Sequence, residues 1–182
     1  LHDALPISLG DSFQVADGLD LKLYGFPENH KDFGGSVGMY YAGDAASKPF
    51  IALNNGLDAN GRRMTIQHEL GHAIDHAVGD PNGPLFGNIK GSSREMGPLY
   101  DELATGGYNS RRMTPERAGY APEKVQSELT AEGIRAYMAD PNALKTMAPE
   151  FAKSVREAVN SHPRLSKVIQ FNANPSDRST VG

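Results

Sequence analysis

The stretch His68-Glu69-Leu70-Gly71-His72 constrains this chain more than any other part of its sequence. Residues four apart lie on one face of an α-helix, so the imidazoles of His68 and His72 can bind a single zinc ion. Glu69 lies beside them and is the residue type that acts as general base in such sites. The stretch therefore predicts a zinc centre on a helix, with a carboxylate placed for proton transfer.

The residues around this motif have the periodicity of an amphipathic helix. His76 extends the two histidines into a stripe, and the opposite face is apolar, with Ile66, Leu70, Ala73, Ile74 and Ala77. Asp58 or Asn60 provides an N-cap, so we expect a helix from about residue 61 to Val78, where Gly-Asp-Pro follows. Three of the six histidines fall on this stripe, which favours a metal site over a solvated helix with scattered histidines.

A catalytic zinc site needs three protein ligands and an open position for water. His76 lies two turns from His68, about 11–12 Å along the helix axis, so an unbroken helix cannot bring all three histidines to one ion. We expect His76 to support the ligands from outside or to lie on the surface. The remaining candidates are His162 and the carboxylates Glu95, Asp101, Glu102, Glu128 and Glu132.

Glu128 and Glu132 are the strongest of these candidates. They lie one helical turn apart and border an apolar row formed by Val125, Leu129 and Ala136. Two carboxylates beside a buried row repel each other and are costly to desolvate, and a cation between them and the histidines removes both penalties. One glutamate would then bind zinc while the other accepts a hydrogen bond from a ligand histidine. The alternative is that both face water and pair with Lys124 or Arg135.

These two segments resemble those of the gluzincin metallopeptidases, a group of zincins, and most of all the lethal-factor-type catalytic domain. The resemblance rests on residues 68–75 (HELGHAID) and 128–137 (ELTAEGIRAY), and it covers roughly residues 36–140. It implies Glu128 as the third zinc ligand and Glu132 as the group that orients a ligand histidine. Similar domains occur in toxin-delivery proteins and in multidomain proteins of phages and mobile elements, so we expect a larger parent polypeptide.

The resemblance also implies a tyrosine that stabilises the oxyanion of the reaction. Tyr120 lies at about the expected position, while Tyr100 and Tyr108 are alternatives and packing is the alternative role for Tyr120. Gluzincins often carry an acid where this chain has His76, and here Asp75 precedes that position by one residue. Asp75 and His76 are therefore both expected beside the ligands rather than among them.

The sequence before the motif is typical of strands. Leu19, Leu21 and Leu23 alternate as in a half-buried strand, and Val37–Tyr41 and Pro49–Asn54 predict a hairpin that leads into the active-site helix. The proline that begins the last of these segments suits an edge strand.

The sequence after the motif is mainly helical in pattern. We expect helices at about residues 92–105, 123–139 and 149–161, and a last strand or turn at residues 165–171. The fold class is therefore predicted as α+β: a small mixed sheet with an edge strand over the active-site helix, followed by a mainly helical C-terminal half.

One domain over residues 9–172 accounts for a chain of 182 residues. Residues 1–8 resemble a non-native scar, and residues 173–182 resemble a frayed tail. A net charge of -4 with both signs mixed gives no reason to expect nucleic acid or an anionic membrane as partner. No apolar run is long enough to cross a bilayer, so we expect a soluble protein, with its compartment, including delivery or secretion, left open. The absence of cysteine excludes a thiolate zinc site and a thiol nucleophile.

The function expected from these residues is that of a zinc-dependent endopeptidase with one Zn²⁺ per chain. Glu69 would take a proton from a zinc-activated water, and the strand Phe50–Asn54 would bind an extended peptide or protein substrate by strand addition. A zinc-binding module of the same fold without turnover is one alternative, against which the intact Glu69 argues. A zinc amidase that acts on a cell-wall peptide is another.

Overall fold

A computed structural model describes residues 9–27, 36–79, 87, 89–105 and 113–168. Three strands and seven α-helices lie within these ranges, together with a π-helical turn before α3 and a 3₁₀ turn before α4. The strands are β1 (Lys22–Phe26), β2 (Gly38–Tyr41) and β3 (Phe50–Asn54). The helices are α1 (Leu9–Gly18), α2 (Ala59–Val78), α3 (Gly97–Thr105), α4 (Val125–Ala139), α5 (Pro141–Met147), α6 (Pro149–Ser161) and α7 (Leu165–Val168). This is the predicted α+β fold, with a mixed sheet before α2 and a mainly helical C-terminal half.

The sheet has the strand order β1-β3-β2, with β3 in the centre. β1 runs parallel to β3 and β2 runs antiparallel to it, so that Phe50 lies opposite both Lys22 and Tyr41. The prediction that Phe50–Asn54 is an edge strand is therefore wrong. Pro49 precedes the first paired residue of β3, so its missing N–H does not interrupt the ladder. Within the described ranges β2 is an edge of the sheet, and it is the edge nearer the motif on α2.

Helix α2 forms largely as its sequence predicts. The Asp58 side chain accepts a hydrogen bond from the Gly61 N–H at 2.7 Å and caps the helix, and Gly79 lies at the C-terminal cap. The apolar stripe packs into the core, where Ile66, Leu70 and Ile74 are fully buried. This burial directs the histidine-bearing side of α2 toward α4.

The C-terminal helices enclose the other side of α4, and twelve of its fifteen residues are buried. Glu95, in the π-helical turn Ser92–Met96, accepts a hydrogen bond from the Phe151 N–H at 2.7 Å. Its carboxylate therefore caps the first turn of α6, where a negative charge is favourable. The side chains of Phe151, Val155 and Val159 then fill the core from the predicted helix α6.

Four local features differ from the predictions. Helix α1 was not expected, and α5 fills a segment that had no predicted element. Leu19 lies just beyond α1 and is buried, whereas the strand begins only at Lys22. The segment from residue 165 was expected as a strand or turn, but residues 165–168 form α7, because Leu165 is anchored in the core at the start of a helical turn.

The two predicted end segments, residues 1–8 and 173–182, lie outside the described residues, as do residues 169–171. In the part of the chain that is described, none of the helices combines the length and apolar character that a membrane span requires.

Candidate metal centre

Three side chains from two helices converge on one point. His68 and His72 extend from α2, and Glu128 extends from the first turn of α4. One potential ligand atom from each residue lies within 4.8 Å of the other two. His68 Nε2 is 3.3 Å from Glu128 Oε2, and His72 Nε2 is 3.5 Å from Glu128 Oε1. Two imidazoles and a carboxylate form the donor set of a group of catalytic zinc sites.

The spacing of these atoms suits a shared metal ion. Two ligands about 2.0–2.1 Å from a tetrahedral zinc lie about 3.3–3.4 Å from each other, and each histidine Nε2 lies near this distance from one oxygen of Glu128. Glu128 Oε2 is buried and faces His68 Nε2 at 3.3 Å without a well-aligned hydrogen bond. A buried carboxylate oxygen without a hydrogen bond is costly, and a cation would remove this cost. The three residues therefore fit a metal ion of the zinc type.

The far nitrogen of His68 is held by a chain of buried polar groups. His68 Nδ1 lies 3.2 Å from Glu132 Oε2, and the other oxygen of Glu132 accepts hydrogen bonds from Arg135 Nε and Nη2 at 2.9 and 2.6 Å. Arg135 Nη2 also donates to the Leu103 carbonyl at 2.8 Å. Such partners fix the tautomer and ring orientation of a metal-binding histidine. Arg135 does pair with a glutamate, as the alternative interpretation held, but both residues are buried rather than facing water.

His72 is held in the same way by a residue that the sequence analysis did not identify. Ser127 Oγ lies 3.2 Å from His72 Nδ1, on the side of the ring away from Glu128. Ser127 directly precedes Glu128 on α4, and this adjacency was the one sequence signal for its role. Both histidines thus present Nε2 to the site and Nδ1 to a polar partner.

Close packing of α2 on α4 makes this convergence possible. A Cβ atom on Gly71 would lie 2.5 Å from the Ala131 carbonyl oxygen and 2.8 Å from Ala131 Cα. The two backbones therefore touch at a position between the histidines of α2 and beside Glu132 of α4. A glycine is required there by the approach itself, since any side chain would separate the helices.

The electrostatics of the site favour a positive charge at its centre. Burial acts to raise the pKa of Glu128, but the His68 and His72 imidazoles outweigh burial and lower its pKa to about 2. Burial acts to lower the pKa of His68, but the Glu128 and Glu132 carboxylates outweigh it and raise the pKa to about 10. The carboxylates thus create a potential that a divalent cation would satisfy.

Glu69 lies between the two histidines in sequence and beside the edge strand in space. Its side chain is buried, and burial raises its pKa, an effect that the nearby His68 and His72 oppose. The Tyr40 backbone N–H donates a hydrogen bond to the Glu69 carboxylate. A raised pKa brings a carboxylate closer to the range in which it can both accept and return a proton near neutral pH.

Two tyrosines border the site. Tyr120 is 39% exposed and Tyr100 is 5% exposed. Burial raises the pKa of Tyr120, and the negative charge of Glu128 raises it further, so that its phenol keeps its proton. The pKa of Tyr100 is likewise raised, chiefly by burial and then by the negative charges of Glu132 and Glu128. The third alternative, Tyr108, lies outside the described residues.

His68, Glu69 and both tyrosines line one open cavity of about 640 Å³. Its other walls come from the edge strand, the start of α2, the end of α3 and the segment before α4. The residues that complete the lining are Ser36, Val37, Gly38, Met64, Thr65, Ala104, Ala118, Gly119, Glu132 and Arg135. The His68 side of the metal centre is therefore open to a cleft of the size that small ligands and peptide side chains occupy.

The remaining predicted site residues lie outside the donor set. His76 Nδ1 is 2.8 Å from the Tyr40 hydroxyl, two turns from His68. Asp75 is fully buried and accepts a hydrogen bond from the Gly87 N–H.

The other candidates for the third ligand have different surroundings. Glu95 caps α6, Asp101 accepts a hydrogen bond from the Met113 N–H at 2.8 Å, and Glu102 is exposed. His162 Nδ1 accepts from the Leu165 N–H at 3.1 Å, at the start of α7. Glu128 is the candidate that the structure brings to the two motif histidines.

A search of curated proteins found no match to the chain. Residues 29–104, less than half of the chain, match the model of the Peptidase_M78 family, the IrrE N-terminal-like domain. The matched segment contains the hairpin, α2 and its HExxH motif, whereas Glu128 and Tyr120 follow it. The match does not extend to the lethal-factor-type assignment, which stays a prediction. The segment that carries the two histidines and Glu69 is thus similar to zincin-like metallopeptidase-type domains, as the resemblance implied.

Proposed function

We propose that this protein is a zinc-dependent endopeptidase that hydrolyses peptide bonds in an extended peptide or protein. The observation that carries the proposal is the position of Glu69. Glu69 lines the same cavity as His68, which with His72 and Glu128 forms the donor set. A metal-binding module without turnover would have no need of a buried carboxylate at this position.

His68, His72 and Glu128 would hold one zinc ion per chain, with Glu132 and Ser127 orienting the two imidazoles. Zinc in such a site supplies a Lewis acid that activates water and polarises a carbonyl group. Glu69 would accept a proton from the attacking water at a carboxylate oxygen and deliver it to the leaving amine nitrogen.

Tyr120 supports the proposal as a donor to the developing oxyanion. Its hydroxyl keeps its proton, and its side chain lines the same cavity as His68 and Glu69. A hydrogen bond donated to the substrate oxygen would stabilise the transition state more than the ground state. Tyr100 lines the same cavity but is almost fully buried, so we assign this role to Tyr120.

The edge strand β2 is the element suited to bind the substrate main chain. Gly38 lines the cavity, and among the described residues β2 pairs on one side with β3 alone. An extended peptide that adds to this edge would place a scissile carbonyl near His68 and Glu69. Recognition through the main chain implies broad sequence preference, with the cavity walls selecting side chains.

Digestion of a diverse peptide library tests the proposal. Zinc-loaded wild type is compared with Glu69→Gln, which keeps the size of the side chain and removes the base, and the products are identified by mass spectrometry. Cleavage by wild type and a large loss in Glu69→Gln is the expected result. If neither protein cleaves although both bind one zinc per chain, the endopeptidase proposal fails, and a binding module or a cell-wall amidase takes its place.

A further inference from the structure

The role of His76 follows from its partner on the edge strand. His76 lies on α2 two turns beyond His68, and its Nδ1 is 2.8 Å from the hydroxyl of Tyr40 on β2. The centroids of the Tyr40 and His76 rings are 6.1 Å apart, and the ring planes are inclined by 55°. Burial raises the pKa of Tyr40 to about 12 and lowers the pKa of His76, so that a protonated phenol faces a neutral imidazole. The hydroxyl and Nδ1 therefore share a hydrogen bond between two neutral groups, and the tautomer of His76 sets its direction.

The backbone of the same residue reaches the catalytic side of α2. The Tyr40 N–H donates to the carboxylate of Glu69, so Tyr40 binds α2 at positions 69 and 76. Gly38, two residues earlier, also lies against Glu69: a Cβ atom there would be 2.9 Å from Glu69 Oε1 and would collide with Thr65. The edge strand is thus fitted closely to the side of α2 that carries Glu69.

An edge strand has backbone pairing on one side only, so its position over a helix depends on side-chain anchors. Tyr40 is the residue of β2 whose side chain forms such an anchor with α2. If the strand moved away from the helix, the Tyr40 N–H would move away from Glu69 as well. The carboxylate would then lose a hydrogen bond that favours one orientation in the cleft.

We propose that Tyr40 is a positioning residue for Glu69, and that His76 is the anchor that holds Tyr40 in place. The hydroxyl bond to His76 fixes β2 on α2, and the fixed strand presents the Tyr40 N–H to the Glu69 carboxylate. The consequence for turnover rests on the proposed function, in which Glu69 is the base. The structural link between His76 and Glu69 through Tyr40 is independent of it.

Two measurements on zinc-loaded protein test the proposal together. The first is the ¹H chemical shift of the residue 40 amide, which a hydrogen bond to a carboxylate moves downfield. Glu69→Ala gives the value without this bond. The second is kcat and KM for a peptide that wild type cleaves. The variants are Tyr40→Phe, His76→Ala and His76→Asn, in which the asparagine side-chain amide can replace Nδ1 as the hydrogen-bond partner of the Tyr40 hydroxyl.

Tyr40→Phe and His76→Ala are expected to shift the residue 40 amide toward its position in Glu69→Ala. Both should lower kcat by about three- to tenfold, which corresponds to the net free energy of one hydrogen bond. KM should stay within about twofold of the wild-type value, and each variant should retain one zinc ion per chain. His76→Asn should return both the residue 40 amide shift and kcat toward their wild-type values. Tyr24→Phe is the matched control, because Tyr24 lies on β1, across β3 from the edge strand, and is half exposed, and it should match wild type.

An unchanged amide shift in His76→Ala would overturn the proposal, and so would a His76→Asn variant no better than His76→Ala. If the His76 variants fold poorly, Tyr40→Phe tests the same proposal, because it removes a single oxygen atom. An unchanged residue 40 amide shift and kcat in this variant would likewise overturn the proposal. If wild type cleaves no peptide, the proposed function fails, whereas the amide shifts still decide whether His76 positions the Tyr40 N–H on Glu69.

Discussion

Substitution of Gly71 by alanine should weaken metal binding while the chain stays folded. The new Cβ would lie 2.5 Å from the Ala131 carbonyl oxygen, whereas ordinary contacts begin at 3.4 Å. The contact is with backbone on the facing helix, which no side-chain rotation can relieve. Helices α2 and α4 would therefore have to separate by about 0.9 Å at this point.

The expected magnitudes follow from this separation. Alanine is favoured over glycine inside a helix by about 1 kcal/mol, and overpacking costs typically about 1–3 kcal/mol, so the net loss of stability is about 0–2 kcal/mol. The donors of the site come from both helices, and a metal site tolerates errors of about 0.2 Å in its ligand distances. We expect zinc affinity to fall by about 10–100-fold, as it does when groups that hold metal ligands are lost.

Gly133→Ala on α4 is the matched control for this prediction. Its Cβ would collide with the ring of Phe151 and approach Met96, away from α2. Zinc affinity would be measured by competition with a chromogenic chelator, and stability by urea unfolding in excess chelator. Gly71→Ala should lose affinity while Gly133→Ala loses stability alone. Equal zinc affinity in Gly71→Ala and wild type would refute the claim that the Gly71 contact sets the spacing of the donors.

Two further substitutions test the assigned residues. Glu128→Ala should lower zinc affinity by more than the roughly 10–100-fold typical of losing a supporting group, since a ligand is removed, whereas His76→Ala should keep one zinc per chain in a metal analysis after dialysis. The opposite pattern would show that the third ligand is misassigned. Tyr120→Phe should reduce kcat by about 10²–10³-fold at unchanged zinc content, as measured with a peptide from the library, and unchanged kcat would remove its oxyanion role.

The parts of the fold that were predictable are those encoded by neighbouring residues. Helix α2 and its Asp58 cap could be identified because an apolar stripe and a capping side chain are local features. Strand order is set by contacts between distant segments, and the sequence of β3 is compatible with either an edge or a central position. Helix α1 was missed because its buried face includes the polar Ser12 beside Val15 and Ala16, which hides the helical spacing.

The candidate site also contains residues that the local sequence identifies and residues whose roles depend on contacts between distant segments. The spacing of His68, His72 and the two glutamates of α4 led to a donor set that the structure brings together. Ser127 and Arg135 were not assigned roles there, because a serine and an arginine on a helix are common at surfaces and their burial depends on how α4 packs. The link from Tyr40 to His76 joins residues 36 positions apart and has no signature in either segment.

Glu132 and its partner Arg135 together connect α2, α3 and α4. One oxygen contacts His68 on α2, and the other binds Arg135, whose guanidinium also donates to the Leu103 carbonyl in the last turn of α3. A fluctuation that lifts that turn would release Arg135 and then Glu132, so fraying of α3 and loosening of the metal ligands are thermodynamically linked. An ion bound to His68 would therefore slow amide hydrogen exchange in α3, a helix that contributes no ligand to the ion.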